Sequence, residues 1–138
     1  MAGKIFAAID IGSFELELGI YEISPGSGIR KVDHVRYALA LGSDTYQTGI
    51  ISYQRVEEMC RVLADFVQIA QGYRADECRA YATSALREAR NNRIVLDQIR
   101  VRTGLKAKII SNSEQRFLTY KAIAGKDAGF NRMIQKGT

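Results

Sequence analysis

The residues best suited to chemistry lie near the start, in Ala7-Ala8-Ile9-Asp10-Ile11-Gly12-Ser13-Phe14-Glu15-Leu16-Glu17-Leu18. An apolar run ends in an Asp, a Gly and a Ser, turns, and leaves as an alternating run. Gly12 lacks the Cβ that would keep an anion from the backbone, so a turn here can present N–H groups to one. Asp10, just before it, can hold a divalent cation through water, as Mg²⁺ sites on phosphate substrates often do. Turns of this composition also close plain hairpins, and the turn alone does not choose between the two readings.

Composition removes other chemistries. Cys60 and Cys78 are the only two cysteines and show no metal-ligand spacing, and His34 is the one histidine. Neither a histidine-based triad nor a structural zinc site is expected. The 138 residues suffice for one domain with a real core, without an apolar run of membrane-spanning length. Met1-Ala2-Gly3-Lys4 leads directly into a strand, so the chain reads as soluble, reduced and cytoplasmic, with no membrane partner. The net charge of +5 is unevenly spread. Residues 1–69 carry 6 Lys/Arg against 9 Asp/Glu, and residues 70–138 carry 14 against 6. A basic half of this kind either attracts a polyanion or forms solvated helix faces. Without aromatic residues interleaved among the charges, nucleic acid is not the expected partner.

The elements that must position the turn follow from periodicity. Lys4 to Ile11 reads as a buried strand. Leu16, Leu18 and Ile20 then alternate with Glu15, Glu17 and Tyr21, giving a half-buried strand that pairs back as a hairpin. Ser24 to Gly28 is a turn, and Ile29 to Leu41 a third strand. Gly42 to Ile51 reads as a loop with Gly49 near its end. Ser52 caps a long helix whose inward stripe is Val56, Met59, Cys60, Leu63, Phe66, Val67 and Ala70, with Gly72 as its stop. Cys60 lies in that stripe and reads as core. Cys78 to Thr83 forms a strand, Arg93 to Thr103 a helix ending at Gly104, and Lys106 to Ile110 a fifth strand. Ser111 opens a last helix, with Ser111 and Glu114 spaced as a capping box and Phe117, Leu118, Ala122 and Ala124 inward. The expected order is βββαβαβα: a meander followed by two parallel crossovers in a five-stranded mixed sheet, the ribonuclease H-like pattern.

Three stretches together resemble the exopolyphosphatase / guanosine-pentaphosphate phosphohydrolase family of the actin-like ATPase superfamily. They are Ala8-Ile9-Asp10-Ile11-Gly12-Ser13, then Ala82-Thr83-Ser84-Ala85-Leu86-Arg87-Glu88-Ala89-Arg90-Asn91, then Ile109-Ile110-Ser111-Asn112-Ser113-Glu114-Gln115. Each closes an expected strand, so all three should meet at one sheet edge. The resemblance runs from about Lys4 to Gly125 and implies that residues 1–125 form the first of two lobes, with 126–138 as a linker toward a second. A lobe alone would expose half a cleft and is expected to be inactive.

The resemblance implies roles residue by residue. Asp10 is similar to the family's cation-associated Asp, and Mg²⁺ or another divalent cation is the implied cofactor. Gly12 and Ser13 would supply donors to a phosphoryl group, with Thr83 on the same edge. Arg87 matches an Arg whose guanidinium fork suits phosphate. Arg90, Arg93 and Arg116 either extend a lane for an anionic chain or form solvated helix faces. Two departures stand out. Phe14 and Glu15 occupy positions where the family has Asn and a small polar residue. The family's catalytic Glu, second of an acidic pair, aligns with Gln115, leaving Glu114 as the first. Gln accepts protons poorly, yet phosphoryl transfer rests largely on positioning, and an amide can orient the attacking water.

Three functions follow as expectations. The first is release of terminal phosphate from inorganic polyphosphate, with guanosine pentaphosphate as the other implied substrate and a homodimer as the implied full-length assembly. The second is a catalytically impaired polyphosphate- or nucleotide-binding regulator of the same family. The third is a lobe of another actin-like ATPase or sugar kinase, against which the Thr83-to-Asn91 stretch weighs.

Overall fold

The computed structural model describes residues 3–26 and 28–111. The chain opens with β1 (Lys4–Ile11), β2 (Glu15–Ser24) and β3 (Gly28–Ala38), followed by α1 (Leu41–Thr48) and α2 (Tyr53–Gly72). Then come β4 (Glu77–Ala82), α3 (Ser84–Glu88), α4 (Asn92–Thr103) and β5 (Lys108–Ile109). The five strands form one sheet in the order β3-β2-β1-β4-β5. β1 pairs antiparallel with β2 and parallel with β4; β2 pairs antiparallel with β3, and β4 parallel with β5. This is the α/β, ribonuclease H-like arrangement that the strand pattern implies.

The alternation of β1 and β2 decides which face is buried. Ala7, Ile9 and Ile11 of β1, with Leu16, Leu18 and Ile20 of β2, lie in the main core with Met59, Cys60, Leu63 and Phe66 of α2. The opposite face carries Asp10 beside Glu17 in the antiparallel register. Glu17 forms an ion pair with Arg36 Nε at 3.2 Å and lies 2.8 Å from His34 Nε2. α4 adds Val95 and Ile99 to the core, and Arg102 forms a forked ion pair with Glu57 that ties α4 to α2.

Helix ends follow the sequence in most places. The Ser52 hydroxyl accepts the Arg55 N–H at 3.3 Å, the expected N-cap. Gly104 ends α4 in the left-handed region, with φ 81°. At the end of α2 the left-handed residue is Arg74, φ 56°, two positions beyond Gly72. Val67 is only partly buried, whereas Val62, missing from the expected stripe, is buried. Burial pushes the Cys60 thiol up, consistent with a core role.

Three expectations need correction. Residues 41–48 form a helix where a loop was expected. Only Leu41, Gly42 and Thr45 of that helix are buried, and no side chain caps its N-terminus, so local sequence gives it little signal. Tertiary bonds hold it instead: Gly42 N–H donates to Ser13 O at 2.7 Å, and the Thr45 hydroxyl donates to Ala85 O at 2.9 Å. The third strand therefore ends at Ala38; Leu39 and Ala40 lead into α1, which Leu41 opens. The fifth strand is confined to Lys108 and Ile109, which pair with Tyr81 and Ala82 at the end of β4. With α1 and α3 included, the described order is βββααβααβ. The expected last helix lies outside the described residues.

Leu63 is fully buried between α2 and the sheet. Leu63→Ala should lower unfolding free energy by about 2–5 kcal/mol, read from the urea midpoint.

Candidate functional site at the strand ends

Parallel pairing carries the ends of β1, β4 and β5 to one edge. Ile11 pairs with Ala82, and Ala82 with Ile109. The two residues that follow each strand are therefore brought alongside: Gly12-Ser13 beside Thr83-Ser84, and these beside Ile110-Ser111. Backbone bonds continue the register past the strands. Thr83 N–H donates to Ile11 O at 3.4 Å, and Ile110 N–H donates to Ala82 O at 2.8 Å.

The first turn is closed from within and docked from outside. Gly12 N–H donates to Glu15 O at 3.0 Å, and a Cβ at Gly12 would lie 3.0 Å from that same oxygen. Gly12 thus serves the turn itself, and Ser13 presents the hydroxyl. Ser13 O accepts from Gly42 N–H at 2.7 Å, and Phe14 O from Leu39 N–H at 3.1 Å. A Cβ on Gly42 would stand 3.1 Å from Ser13 Cβ, 3.2 Å from the Phe14 ring and 3.0 Å from the Tyr46 ring. Phe14, otherwise well exposed, therefore leans on the start of α1. Glu15 is half-buried, on the same sheet face as Asp10 and Glu17.

Hydroxyl groups meet at this edge. Ser13 Oγ lies 2.9 Å from Ser84 Oγ and 3.3 Å from Tyr46 OH, and Tyr46 OH donates to Ser84 Oγ at 2.9 Å. Thr83 is buried, and its backbone O accepts the Arg87 N–H at 2.9 Å, shaping the start of α3. The side chain at the edge is that of the next residue, Ser84.

Arg87 is half-buried on α3, where Nη1 donates to Ile110 O at 2.9 Å and Nε to Glu88 at 3.2 Å. Two of its N–H groups are so engaged, and a guanidinium fork has others. It links the second motif to the backbone of the third. Arg90 and Arg93 are exposed. Arg90 lies against Gly49, where a Cβ would come 2.1 Å from Arg90 Nη1, and its N–H donates to Gly49 O at 2.8 Å. Glu114, Gln115 and Arg116 lie outside the described residues.

Asp10 is half-buried at the end of β1. No group of three or more His, Cys, Asp or Glu residues able to hold a metal occurs among the described residues. What fits a hard cation here is one carboxylate supplemented by water and substrate oxygens, the usual manner of Mg²⁺ on phosphates. A cavity of about 410 Å³ beside Cys78, Tyr81, Leu105 and Lys106 does not include Ser13, Ser84 or Arg87.

Sequence reasoning missed three positioning groups. Asn91 clamps the junction between α1 and α2: its Nδ2 donates to Ile51 O at 3.0 Å, and its Oδ1 accepts Ile51 N–H at 3.1 Å. Thr45 fastens α1 to α3. Asp44 accepts Ser52 N–H at 2.8 Å and Arg55 Nε at 3.1 Å, fixing the exit from α1. Asn91 already stood in the second motif, and only its partner was hidden. Thr45 and Asp44 gave no signal while their segment read as a loop.

The chain matches the model of the Ppx/GppA phosphatase family over residues 19–133, and it belongs to that family. The match begins within β2, so the Asp10–Ser13 turn is joined to it here by strand register. Exopolyphosphatase 1 of Mycobacterium leprae is 26% identical over 115 residues, covering 83% of this chain and 34% of that protein. The chain thus spans about a third of the length of the curated relatives it matches. The crystal structure of the Aquifex aeolicus Ppx/GppA family member superposes with a TM-score of 0.82 at 27% identity, over 88% of this chain and 39% of that one. The type II variant of the Aquifex aeolicus Ppx/GppA phosphatase gives 0.74 at 28% identity, over 79% and 36%. No helix among the described residues is long and apolar enough to cross a membrane.

Asp44 supplies a pH-dependent test of how α1 is held. Burial alone would raise its pKa, but bonds from Ser52 and Arg55 outweigh this and hold the carboxyl below the usual carboxylate range. The stabilisation is therefore fully present above the unfolded value, about 3.9, and is lost as pH falls through the lower folded value. Asp44→Asn should destabilise the chain at pH 7, and urea midpoints of variant and parent should converge as pH drops below about 4.

Proposed function

We propose that this chain supplies the phosphate-holding half of an exopolyphosphatase-like hydrolase acting on phosphoanhydrides, with inorganic polyphosphate as substrate and guanosine pentaphosphate as the alternative. The observation that carries the reading is the meeting of two turns, with the Ser13 and Ser84 hydroxyls 2.9 Å apart and Arg87 of the same α3 bonded to Ile110 O. Membership of the phosphatase family, and similarity to a protein named exopolyphosphatase, support this substrate class.

In the proposed reaction, water attacks the terminal phosphorus, a P–O bond forms, and the bridging P–O bond breaks to leave a chain one phosphate shorter. Ser13 donates to the terminal group, and the positive charge of Arg87 offsets the charge of the phosphoryl oxygens. Thr83 sets the backbone from which Ser84 and Arg87 project. Mg²⁺ held near Asp10 would neutralise substrate charge. Gln115 or Glu114 orients the water, and Glu114 is the better proton acceptor of the two. Residues 1–125 form the first lobe and 126–138 the link to a second, which completes the cleft and allows a homodimer of the full-length protein. We assign it to the cytoplasm, where Cys60 and Cys78 remain thiols.

Gln115 favours a second reading: a regulator that keeps the anion site and turns over poorly. Full-length protein incubated with Mg²⁺ and long-chain polyphosphate should release phosphate, and Gln115→Glu should raise the rate by about 10²-fold or more. Release from the variant alone would favour the regulator. No release from either protein would overturn the hydrolase reading.

A further inference from the structure

The hydroxyls of Ser13, Tyr46 and Ser84 come from three separate segments: the β1–β2 turn, α1 and the start of α3. Their contacts of 2.9, 2.9 and 3.3 Å close a triangle. A hydroxyl has one O–H to donate, so a closed triangle uses all its donors internally. An anion only accepts. On its arrival each O–H can turn outward about its own C–O bond while the heavy atoms stay in place, giving three converging donors.

The triangle is held from below. Gly42 lets α1 approach the turn so closely that a Cβ there would meet the Tyr46 ring at 3.0 Å. Gly42 N–H fastens the helix start to Ser13 O, and the Thr45 hydroxyl fastens the residue before Tyr46 to Ala85 O. Tyr46 itself is 55% exposed, so its hydroxyl is open to a ligand, while Ser13 and Ser84 are half-buried. Donors fixed before binding cost less ordering when the ligand arrives. A hydroxyl can serve either a cation or an anion; the positive charge of Arg87, one turn further along the same α3, favours a tetrahedral oxyanion here.

We propose that Tyr46 and Ser84 are ligands to phosphoryl oxygen, forming with Ser13 a three-hydroxyl cradle for the terminal group of a polyphosphate-type anion. This rests on the anion-site reading above and adds to it a residue on α1.

Inorganic triphosphate is titrated calorimetrically into the whole chain and into Tyr46→Phe and Ser84→Ala. Tyr46→Phe keeps the ring on Gly42 and removes only the donor. Each variant should bind about tenfold more weakly, the effect of one hydrogen bond to a charged group, with thermal midpoints close to that of the parent. Equal affinity in parent and variants would overturn this inference alone, as would a lowered midpoint in Tyr46→Phe with unchanged affinity, which marks a merely structural tie. No binding by the unaltered chain would overturn the anion-site reading together with this one.

Discussion

The pairing of β1 on both sides is the constraint from which the site follows. Antiparallel pairing with β2 makes the chain turn immediately after Ile11, and parallel pairing with β4 ends the two strands at the same level. Because Ile11 aligns with Ala82, the second residue beyond each is a serine, and the two serine hydroxyls touch. A one-residue slip would turn every side chain of β1 to the other face and place Ile9 and Ile11 against Asp10's surroundings. Burial of Ala7, Ile9 and Ile11 in the core therefore fixes the site as firmly as it fixes the sheet.

Polar contacts then sharpen what packing has set. Neutral hydrogen bonds each contribute about 1 kcal/mol net, so those of Thr45 and Asn91 matter mainly for where they hold the backbone. Thr45 ties α1 to α3, Asn91 ties the α1–α2 junction to the start of α4, and the turn bearing Ser13 rests on α1. Phe14 takes part in this. Set where the resemblance implies a polar residue, it packs beside Gly42 and Tyr46 instead of facing a substrate as a donor. The departure from the family pattern thus places an aromatic ring beside the helix start on which the turn rests.

Much of this was legible in the sequence, for reasons that name its limits. Alternation in β1 and β2 and the seven-residue stripe of α2 gave elements and core because burial is written locally. Ser52 and Gly104 gave helix ends because capping is local too. The meeting of the first two motifs with residues 109–111, the described part of the third, followed from placing each at a strand end. α1 was hidden because its stability comes from Ser13 and Ala85, residues 29 and 40 positions from its Gly42 and Thr45 contacts. Tyr46 was hidden with it. Ser84 stood inside a quoted motif, but only the register Ile11–Ala82 reveals that it, and not buried Thr83, faces Ser13.

Among the described residues, the edge combines the hydroxyls of Ser13, Tyr46 and Ser84 with the Arg87 guanidinium and, at the end of β1, the Asp10 carboxylate. The proposed working unit is the pair of turns acting together. A double-mutant cycle between Ser13→Ala and Ser84→Ala, read as triphosphate affinity, measures whether they do. A coupling of about 0.5–3 kcal/mol is expected for two hydroxyls that share one anion. Additivity within about 0.3 kcal/mol would mean that the turns bind independently, and would contradict a single site at the strand ends.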